Sequence, residues 1–412
     1  MNNDLVTVIV AAYNHENYIE ETIKSIIEQT YQNIELVLID DGSKDKTFEK
    51  VLAMKPQLEK RFVNVHIEKQ KNIGSAQTIN KLAQIANGEY LYMIASDDVA
   101  LPNAVEKLYE FLSKNKDFGL VAGDSTMIDQ NSKPVLMDEN REIVSKKSIQ
   151  AFKTYNDYNT ERLFRLYGKK INCQYNWANL DYIDYYNHWF ENAIPQGYLV
   201  KKDVFKKIEK FSVNSPLEDV FFHFQITKFY KEKVLPDILF HYRLHPTNSM
   251  KNTDRILKIA KITRMYELYL LDTKYPQFKS KKLENSWWYM THKKEWDKSK
   301  NSPLWDEQYY VNKYPEIVEA GWIPLVHYLT EGKEKGFLPS KYFEHPLHRV
   351  RKGCNMLCRK KKNIIKRLKF KQRFKIASYG ILLVLAQIPL LDVLLSRKVR
   401  NILGKKISKY WR

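Results

Sequence analysis

Two acidic doublets each follow an apolar run of strand character in the first quarter of the chain. Asp40-Asp41 follows residues 34–39, and Asp97-Asp98 follows residues 89–95. Apolar residues on consecutive positions are typical of strands buried on both faces, as in parallel sheets, which bind ligands beyond the carboxyl ends of their strands. Paired carboxylates there form a hard, anionic site suited to Mg²⁺ or Mn²⁺ carrying a diphosphate. For either doublet alone, a turn or helix cap is the alternative.

Hydrophobic periodicity predicts the elements that position these doublets. The predicted strands are residues 6–10, 34–39, 63–67 and 89–95. Between them, apolar residues recur at helical spacing from Ile19 and again from Ala76. Gly42 permits a tight turn after the second strand, and Ser43 is expected to cap the helix that follows. The alternation of strands and helices predicts an open α/β sheet with right-handed crossovers.

Length and composition indicate an ordinary globular chain. With 412 residues and 44% hydrophobic content, it can form two to three domains with a sizeable core. Cysteine is scarce, and Cys354 and Cys358 have no second Cys/His pair nearby to complete a zinc site. The first residues lack the basic head, long apolar run and cleavage site of an export signal. We therefore expect reduced thiols and a cytoplasmic location.

The net charge of +20 is concentrated at the carboxyl end. From Arg349 onward lie 20 of the 68 Lys and Arg residues but only one of the 48 acidic residues, Asp392. The rest of the chain is therefore nearly neutral, which argues against a nucleic-acid partner for it.

The basic tail, residues 346–412, also contains a long apolar run at residues 376–395. A run of this length is compatible with a membrane span. Asp392 argues against an isolated span, because an acid deep in the bilayer costs about 2.5 to 3.5 kcal/mol on insertion scales. Basic residues also flank the run on both sides, so a span would place one basic flank outside, against the preference for basic residues on the cytoplasmic side. We expect an interfacial or re-entrant element on anionic lipid at the inner face of the plasma membrane, with a span or a core helix as alternatives.

The order of the amino-terminal motifs resembles family 2 of the glycosyltransferases, the inverting nucleotide-sugar enzymes of GT-A fold. The motifs are Val8 to Asn14, Gln29-Thr30, Asp40 to Ser43, Asn72 and Gly74 with Asn80, and Ser96 to Asp98. The resemblance covers roughly residues 4 to 105. It implies a GT-A, Rossmann-like open sheet in a catalytic domain at residues 1–250. We expect a helical extension at 251–345 and the membrane-associating tail at 346–412.

The resemblance also assigns roles to individual residues. It implies donor-binding residues, which are Ala12, Tyr13, Asn14, Asp40, Asp41, Asn72, Gly74, Asp97 and Arg243. Asp41 would accept a hydrogen bond from a uracil-like base, and Asp40 would support the ribose. Asp98 would bind the divalent cation directly, with Asp97 oriented to the ribose or to the outer shell of the metal. The family's usual Asp-x-Asp is here Ser96-Asp97-Asp98, which leaves open which carboxylate is the primary ligand.

A third acidic doublet, Glu218-Asp219, precedes the apolar residues 220–224. The resemblance makes Asp219 the catalytic base and Glu218 its orienting neighbour. A helix start whose acids complement the helix dipole is the alternative. Further along, residues 237–249 resemble the family's closing segment, whose basic and polar residues face the diphosphate. Arg243 and His245 would neutralise the charge of the leaving group or complete the metal shell, and a solvated loop is the alternative.

Aromatic residues suggest two further regions. Residues 125–195 are rich in Tyr, Asn and Trp, which suits either sugar stacking at an acceptor site or an ordinary core. The named aromatics are Tyr155, Tyr158, Tyr175, Trp177, Tyr185, Tyr186 and Trp189. Residues 305–339 resemble a short helical module found beside bacterial glycosyltransferases, for which a structural or interaction role is expected.

Together these observations predict a metal-dependent, inverting glycosyltransferase on the cytoplasmic face of the membrane. It would move one sugar from a UDP-linked donor to a hydroxyl of a glycan or lipid-linked glycan, in the synthesis of bacterial capsule, lipopolysaccharide or a related polysaccharide. The expected partners are the donor, the acceptor and anionic lipid, without nucleic acid. The alternatives are a metal-dependent nucleotidyltransferase and a non-catalytic lipid- or nucleic-acid-binding protein.

Overall fold

The computed structural model describes residues 4–138, 140–144, 151–161, 186, 190, 194–248 and 253–344. Residues up to Pro339 form one compact unit, and a second unit begins at Ser340. The predictions for the basic tail and for Tyr175, Trp177, Tyr185 and Trp189 lie outside the described residues. Within the described part of the chain, no helix combines the length and the apolar character needed to cross a bilayer.

Ten strands of the described residues join in one sheet. They are β1 (Val6–Ala12), β2 (Ile34–Asp40), β3 (Asn64–Lys69), β4 (Tyr90–Met93), β5 (Val99–Ala100), β6 (Phe118–Ile128), β7 (Pro134–Met137), β8 (Ile143–Val144), β9 (Tyr198–Lys201) and β10 (Lys231–Arg243). The order across the sheet is β3-β2-β1-β4-β9-β6-β10-β5, with β7 on β6 and β8 on β7.

Helices alternate with the first strands and then form the carboxyl-terminal part of the unit. They are α1 (Ile19–Ile27), α2 (Thr47–Arg61), α3 (Ser75–Ile85), α4 (Ala104–Lys114), α5 (Val204–Lys207), α6 (Glu218–Ile226), α7 (Thr253–Thr273), α8 (Lys281–Glu284), α9 (Trp287–Lys300), α10 (Glu307–Lys313), α11 (Pro315–Glu319), α12 (Pro324–His327) and α13 (Lys333–Lys335). The predicted helical extension is therefore present.

The first four strands run parallel, so their carboxyl ends meet at one edge of the sheet. The register pairs Ala12 at the end of β1 with Asp40 at the end of β2. Strand β9 is antiparallel and lies between β4 and β6, while β6 and β10 are parallel to each other. The predicted open α/β sheet is confirmed. Strand β4 is shorter than predicted, because the chain leaves the sheet at Ile94 before it reaches the acidic doublet.

Both faces of the sheet are covered, which explains the continuous apolar runs. Along β1, Val8 and Val10 pack in one cluster with residues of α1, α2 and α4, whereas Ile9 packs in another with residues of α3, α6 and α7. This alternation is the two-residue period of a strand. Helices α7 and α9 belong to the second cluster, so the extension covers the same face as α3 and α6.

The turn after β2 brings a distant loop close to the strand end. Gly42 has φ +79°, and a Cβ added there would lie 2.8 Å from the main-chain nitrogen of Asn72. The prediction that Ser43 caps the next helix is wrong, because α2 begins only at Thr47. Oγ of Ser43 instead accepts a 2.8 Å hydrogen bond from the main-chain N–H of Asn14. Ser43 therefore joins the ends of β1 and β2.

Candidate active site

The ends of β1 and β2 are tied together by polar groups. Asn14, at φ 54°, donates from its main chain to Ser43, and its Oδ1 accepts from the main-chain N–H of Lys44 at 2.9 Å. Asp40 is fully buried, and its Oδ1 accepts from the main-chain N–H of Ser43 at 2.9 Å. The neighbouring Tyr13 is 42% exposed. The two strand ends thus form a fixed rim with one aromatic side chain open to solvent.

Asp41 holds the loop between β3 and α3 against this rim. Its Oδ1 accepts from the main-chain N–H of Ile73 and from Nε2 of Gln70, and its Oδ2 accepts from the main-chain N–H of Gly74, each at 2.9 Å. Gly74 has φ +89°, a conformation that glycine adopts without a steric penalty. Asn72 lies in the same loop, beside Gly42. The predicted donor-binding residues of β2 and of this loop therefore lie together.

The two carboxylates of the second doublet have different surroundings. Asp98 is 1% exposed, and its Oδ1 accepts from the main-chain N–H of Arg243 at 2.9 Å. Oδ2 of Asp97 lies 2.9 Å from Nε2 of His245 and 3.8 Å from Nε2 of His15. Asp97, and not Asp98, is therefore the member of the doublet that meets the histidines.

His15, Asp97 and His245 form a group able to hold a metal ion. One nitrogen of each imidazole and one carboxylate oxygen all lie within 4.8 Å of one another. The second nitrogen of each ring is also engaged: Nδ1 of His15 with Oγ of Ser96 at 2.7 Å, and Nδ1 of His245 with Oγ1 of Thr247 at 2.8 Å. Such partners fix the ring orientation and leave Nε2 directed at the ligand position.

The charge states in this group follow from burial and from neighbouring charges. Burial raises the pKa of Asp98 well above its ordinary value, and the charge of Asp97 adds to the effect. Burial acts in the same sense on Asp97, but the hydrogen bond from His245 and the charge of His15 outweigh it and hold the pKa of Asp97 below its ordinary value. Burial also lowers the pKa of His15. The doublet therefore favours a single ionised carboxylate, that of Asp97.

Arg243 lies behind the doublet and is fully buried. Its Nε donates to the main-chain carbonyl of Asp97 at 2.6 Å, and its Nη2 donates to Oε2 of Glu21 at 2.7 Å. The guanidinium also lies over the ring of Tyr18, 5.0 Å from its centroid. The structure places Arg243 among these groups, where it fixes the doublet on β10. Its predicted contact with the diphosphate stays a prediction.

Glu218 and Asp219 occupy the first turn of α6, as predicted. Oε1 of Glu218 accepts a 2.9 Å hydrogen bond from Oγ of Ser75 at the start of α3. Oδ1 of Asp219 accepts from the main-chain N–H of Val220 at 2.7 Å. Burial, followed by the charge of Asp219, raises the pKa of Glu218 to about 7. The doublet is thus linked, through Ser75 and Gly74, to the loop held by Asp41.

Residues 7–178 match the family model described as glycosyl transferase family 2. This chain carries a family 2 glycosyltransferase domain. The predicted family is thereby confirmed, and together with the open mixed sheet so is the predicted GT-A fold class. The match ends before Glu218, so the third doublet and the segment with Arg243 and His245 lie outside it.

Curated relatives match about a third of this chain. A glycosyltransferase of Methanocaldococcus jannaschii that is named as uncharacterised is 33% identical over 132 residues, 32% of this chain and 45% of that protein. TuaG of Bacillus subtilis, named for teichuronic acid biosynthesis, is 32% identical over 132 residues, 31% of this chain and 51% of that protein. The chain thus spans about half the length of these curated relatives.

Among solved structures, Staphylococcus aureus TarS residues 1–349 in complex with UDP-GlcNAc is similar to this chain. The sequence identity is 17%, and the TM-score is 0.45. The similarity covers 81% of this chain and 92% of that one.

Sequence reasoning missed two residues beside the family 2 motifs. His15 directly follows Asn14, the end of the first motif, and its position after β1 is the signal that could have drawn attention to it. Ser75 follows Gly74 in the same way. Of the aromatics, Tyr155 and Tyr158 are buried in a small cluster with Met127. These two tyrosines are therefore core residues.

Proposed function

We propose that the protein is an inverting glycosyltransferase that moves one sugar from a UDP-linked donor to a hydroxyl of a glycan or lipid-linked glycan. The observation that carries the proposal is the group of His15, Asp97 and His245 at the carboxyl edge of the sheet, beside the family 2 motifs. It supplies the anionic, metal-ligating position that a nucleotide diphosphate requires.

The residues present fit a divalent cation. A carboxylate oxygen with two imidazole nitrogens is a donor set that favours Mn²⁺ over Mg²⁺, because Mg²⁺ prefers oxygen ligands alone. Asp97, His245 and His15 would hold the ion. When bound, the cation supplies positive charge that stabilises the departing diphosphate. Direct ligation by Asp98, the role predicted from the sequence, stays a prediction: its Oδ1 accepts from the main chain of Arg243, whereas its buried Oδ2 accepts no hydrogen bond from the described residues.

The rim around Asp40 and Asp41 is the proposed nucleotide site. Asp41 keeps acceptor capacity on Oδ2, which would accept from the base of the nucleotide while its other bonds hold Ile73 and Gly74. Asp40 would support the ribose through the turn that it fixes at Ser43. Exposed Tyr13 offers a ring face for stacking on the base.

Asp219 is the proposed base, and Glu218 is its positioning neighbour. Asp219 would take the proton of the acceptor hydroxyl as that oxygen attacks the anomeric carbon from the side opposite the diphosphate, which inverts the configuration. A protonated Glu218, favoured by its pKa of about 7, adds no second negative charge beside the base. Holding donor and acceptor in line supplies much of the rate acceleration.

The biological setting is proposed from a relative and from the sequence of the tail. TuaG, named for teichuronic acid biosynthesis, supports a role in bacterial surface polysaccharide synthesis. We propose that the chain consists of a catalytic domain, a helical extension and a tail, as predicted from the sequence. The tail, residues 346–412, would hold the enzyme at the inner face of the plasma membrane. The concentration of basic residues in this tail supports that location.

A metal-dependent nucleotidyltransferase would use a similar acidic site, but it releases a different product. Incubation with UDP-glucose, UDP-galactose and UDP-N-acetylglucosamine in Mn²⁺, without acceptor, should release UDP slowly as water replaces the acceptor. Release of pyrophosphate from a nucleoside triphosphate and a sugar phosphate, without UDP release from any of the three, would instead establish the nucleotidyltransferase.

A further inference from the structure

The segment that leads into α6, residues 211–217, is here called the approach loop. Its first residue is held by Asn80 of α3, whose Nδ2 donates to the carbonyl of Phe211 at 2.8 Å and whose Oδ1 accepts from the N–H of the same residue at 3.2 Å. Its last residue, Leu217, donates from its main chain to Oγ1 of Thr263 on α7 at 3.1 Å. Both ends of the loop are therefore anchored to helices.

The middle of the approach loop is anchored to a different part of the chain. Asn214 is 2% exposed. Its Nδ2 donates to the carbonyl of Gly321, and its Oδ1 accepts from the main-chain N–H of Ile323, each at 2.9 Å. Gly321 and Ile323 lie between α11 and α12, more than 100 residues further along. One buried amide thus joins the loop to residues 305–338, here called the carboxyl module.

The carboxyl module has a packed aromatic interior, which supports the segment that Asn214 contacts. The hydroxyl of Tyr310 lies 2.7 Å from Nδ1 of His327, and both residues are buried. The ring of Tyr310 also packs against Trp305 and Tyr314, with centroids 5.2 and 5.1 Å away. A Cβ added at Gly332 would clash with the Tyr310 hydroxyl, so the packing there leaves no space for a larger residue.

We propose that the carboxyl module positions the Glu218-Asp219 doublet, and that Asn214 is the positioning residue through which it acts. The proposal rests on the proposed function, in which Asp219 is the base. A base must lie within hydrogen-bond reach of the proton that it takes, and small displacements cost rate steeply. Asn214 lies four residues before Glu218, and its two bonds fix where α6 begins.

The first test removes the anchor from the loop side. In Asn214→Ala both bonds are lost, and in Asn214→Asp a carboxylate oxygen faces the carbonyl of Gly321. We expect kcat for hydrolysis of the best of the three UDP-sugars to fall by about 10- to 100-fold. The Kd of UDP in Mn²⁺, measured by calorimetry, should change less than about twofold. The proposed nucleotide site and the candidate metal ligands His15, Asp97 and His245 lie on other loops. Asn115→Ala is the control, since its Nδ2 donates to the carbonyl of Phe111 at the end of α4.

The second test perturbs the same two hydrogen bonds by a substitution in the carboxyl module. Gly321 and Gly336 have φ +82° and +84°, and a Cβ at either position would meet no atom closer than 3.9 Å. Alanine therefore imposes similar backbone strain at both, but only Gly321 contacts Asn214. Gly321→Ala should lower kcat, whereas Gly336→Ala should not. The effects of Gly321→Ala and Asn214→Ala should be less than additive, because both act on one pair of bonds.

Hydrogen exchange supplies a readout that does not depend on turnover. Peptides covering residues 211–221 should exchange faster in Asn214→Ala than in wild type, with those of α1 and α2 unchanged. A wild type that hydrolyses none of the three donors would overturn the proposed function and the basis of this proposal with it. An active wild type with unchanged kcat in the Asn214 variants, or with kcat reduced equally in Asn115→Ala and Gly336→Ala, would overturn this proposal alone.

Discussion

The main-chain N–H of Arg243 donates a 2.9 Å hydrogen bond to Oδ1 of Asp98. This bond fixes one carboxylate of the doublet on strand β10, while the adjacent Asp97 meets His15 and His245. Two neighbouring residues of the same type therefore have different contacts, and we propose different tasks for them: Asp98 holds the sheet together, and Asp97 binds the metal ion.

Asparagine substitutions should distinguish these tasks. Asp97→Asn removes the one carboxylate among His15, Asp97 and His245. Loss of a residue that only contacts a metal ligand commonly weakens metal binding by about tenfold or more, so we expect Mn²⁺-dependent UDP binding to weaken by at least about tenfold here. Asp98→Asn keeps an oxygen that can accept from Arg243 and should weaken binding far less. Calorimetric titration of UDP with and without Mn²⁺ checks both. An equal loss of UDP affinity in the two variants, or a larger loss in Asp98→Asn, would support Asp98 as a direct metal ligand, as predicted from the sequence.

The two histidines should make metal binding sensitive to acid. A protonated imidazole cannot bind a metal, so Mn²⁺-dependent UDP affinity should fall as pH decreases. Because burial lowers the pKa of His15 from 6.5, the contribution of this residue should be lost only below that pH. His15→Gln and His245→Gln should each weaken binding at pH 7.5. His66→Gln, on the partly exposed strand β3, is the control and should bind as wild type does.

Removing the proposed base should separate chemistry from binding. Asp219→Asn should lower kcat by about 10²- to 10⁴-fold, the usual contribution of a general base, while UDP affinity in Mn²⁺ is retained. Steady-state kinetics with the best donor, together with calorimetry, provides the comparison. If affinity collapses and the turnover of bound donor is unchanged, Asp219 is a binding residue and the base lies elsewhere.

Glu218 should make the stability of the fold depend on pH. Its pKa is about 7 in the folded protein against an ordinary value of 4.5, so the folded state retains a proton that the unfolded chain loses between these values. The stability contributed by this proton is complete below pH 4.5 and is lost as pH rises through 7. Glu218→Gln lacks the effect. Relative to wild type, its urea midpoint should therefore be higher at pH 8 than at pH 5, and a constant difference between the two proteins would contradict the raised pKa.

The basic tail should bind membranes through two separable contributions. Each basic residue near an anionic surface contributes on the order of 1 kcal/mol, which salt screens, whereas insertion of apolar residues such as Leu382 and Leu383 does not weaken with salt. High salt should release the full chain from anionic vesicles only in part. Deletion of residues 349–412 should abolish co-sedimentation and leave donor hydrolysis intact. Continued sedimentation of the shortened chain, or tighter binding of the full chain to duplex DNA, would refute the membrane role.

Local patterns predicted the strands, the acidic doublets and the start of α6, because each depends on neighbouring residues. The different contacts of Asp97 and Asp98 could not be predicted, since they depend on a bond from Arg243, which lies 145 residues from Asp98 in sequence. His15 was missed for the same reason, because Asp97 and His245 come close to it only in the folded chain. The anchor between Asn214 and Gly321 likewise joins segments 107 residues apart.

The place of β10 in the sheet has a consequence for how the chain emerges during synthesis. At typical rates of about 5 to 20 residues per second, roughly 7 to 30 s separate the appearance of Asp97 from that of Arg243, 146 residues later. From the synthesis of β6 until that of β10, β6 lacks its parallel neighbour, and an unpaired strand edge can associate with other chains. A nascent chain interrupted before β10 therefore lacks His245 and leaves one edge of β6 unpaired.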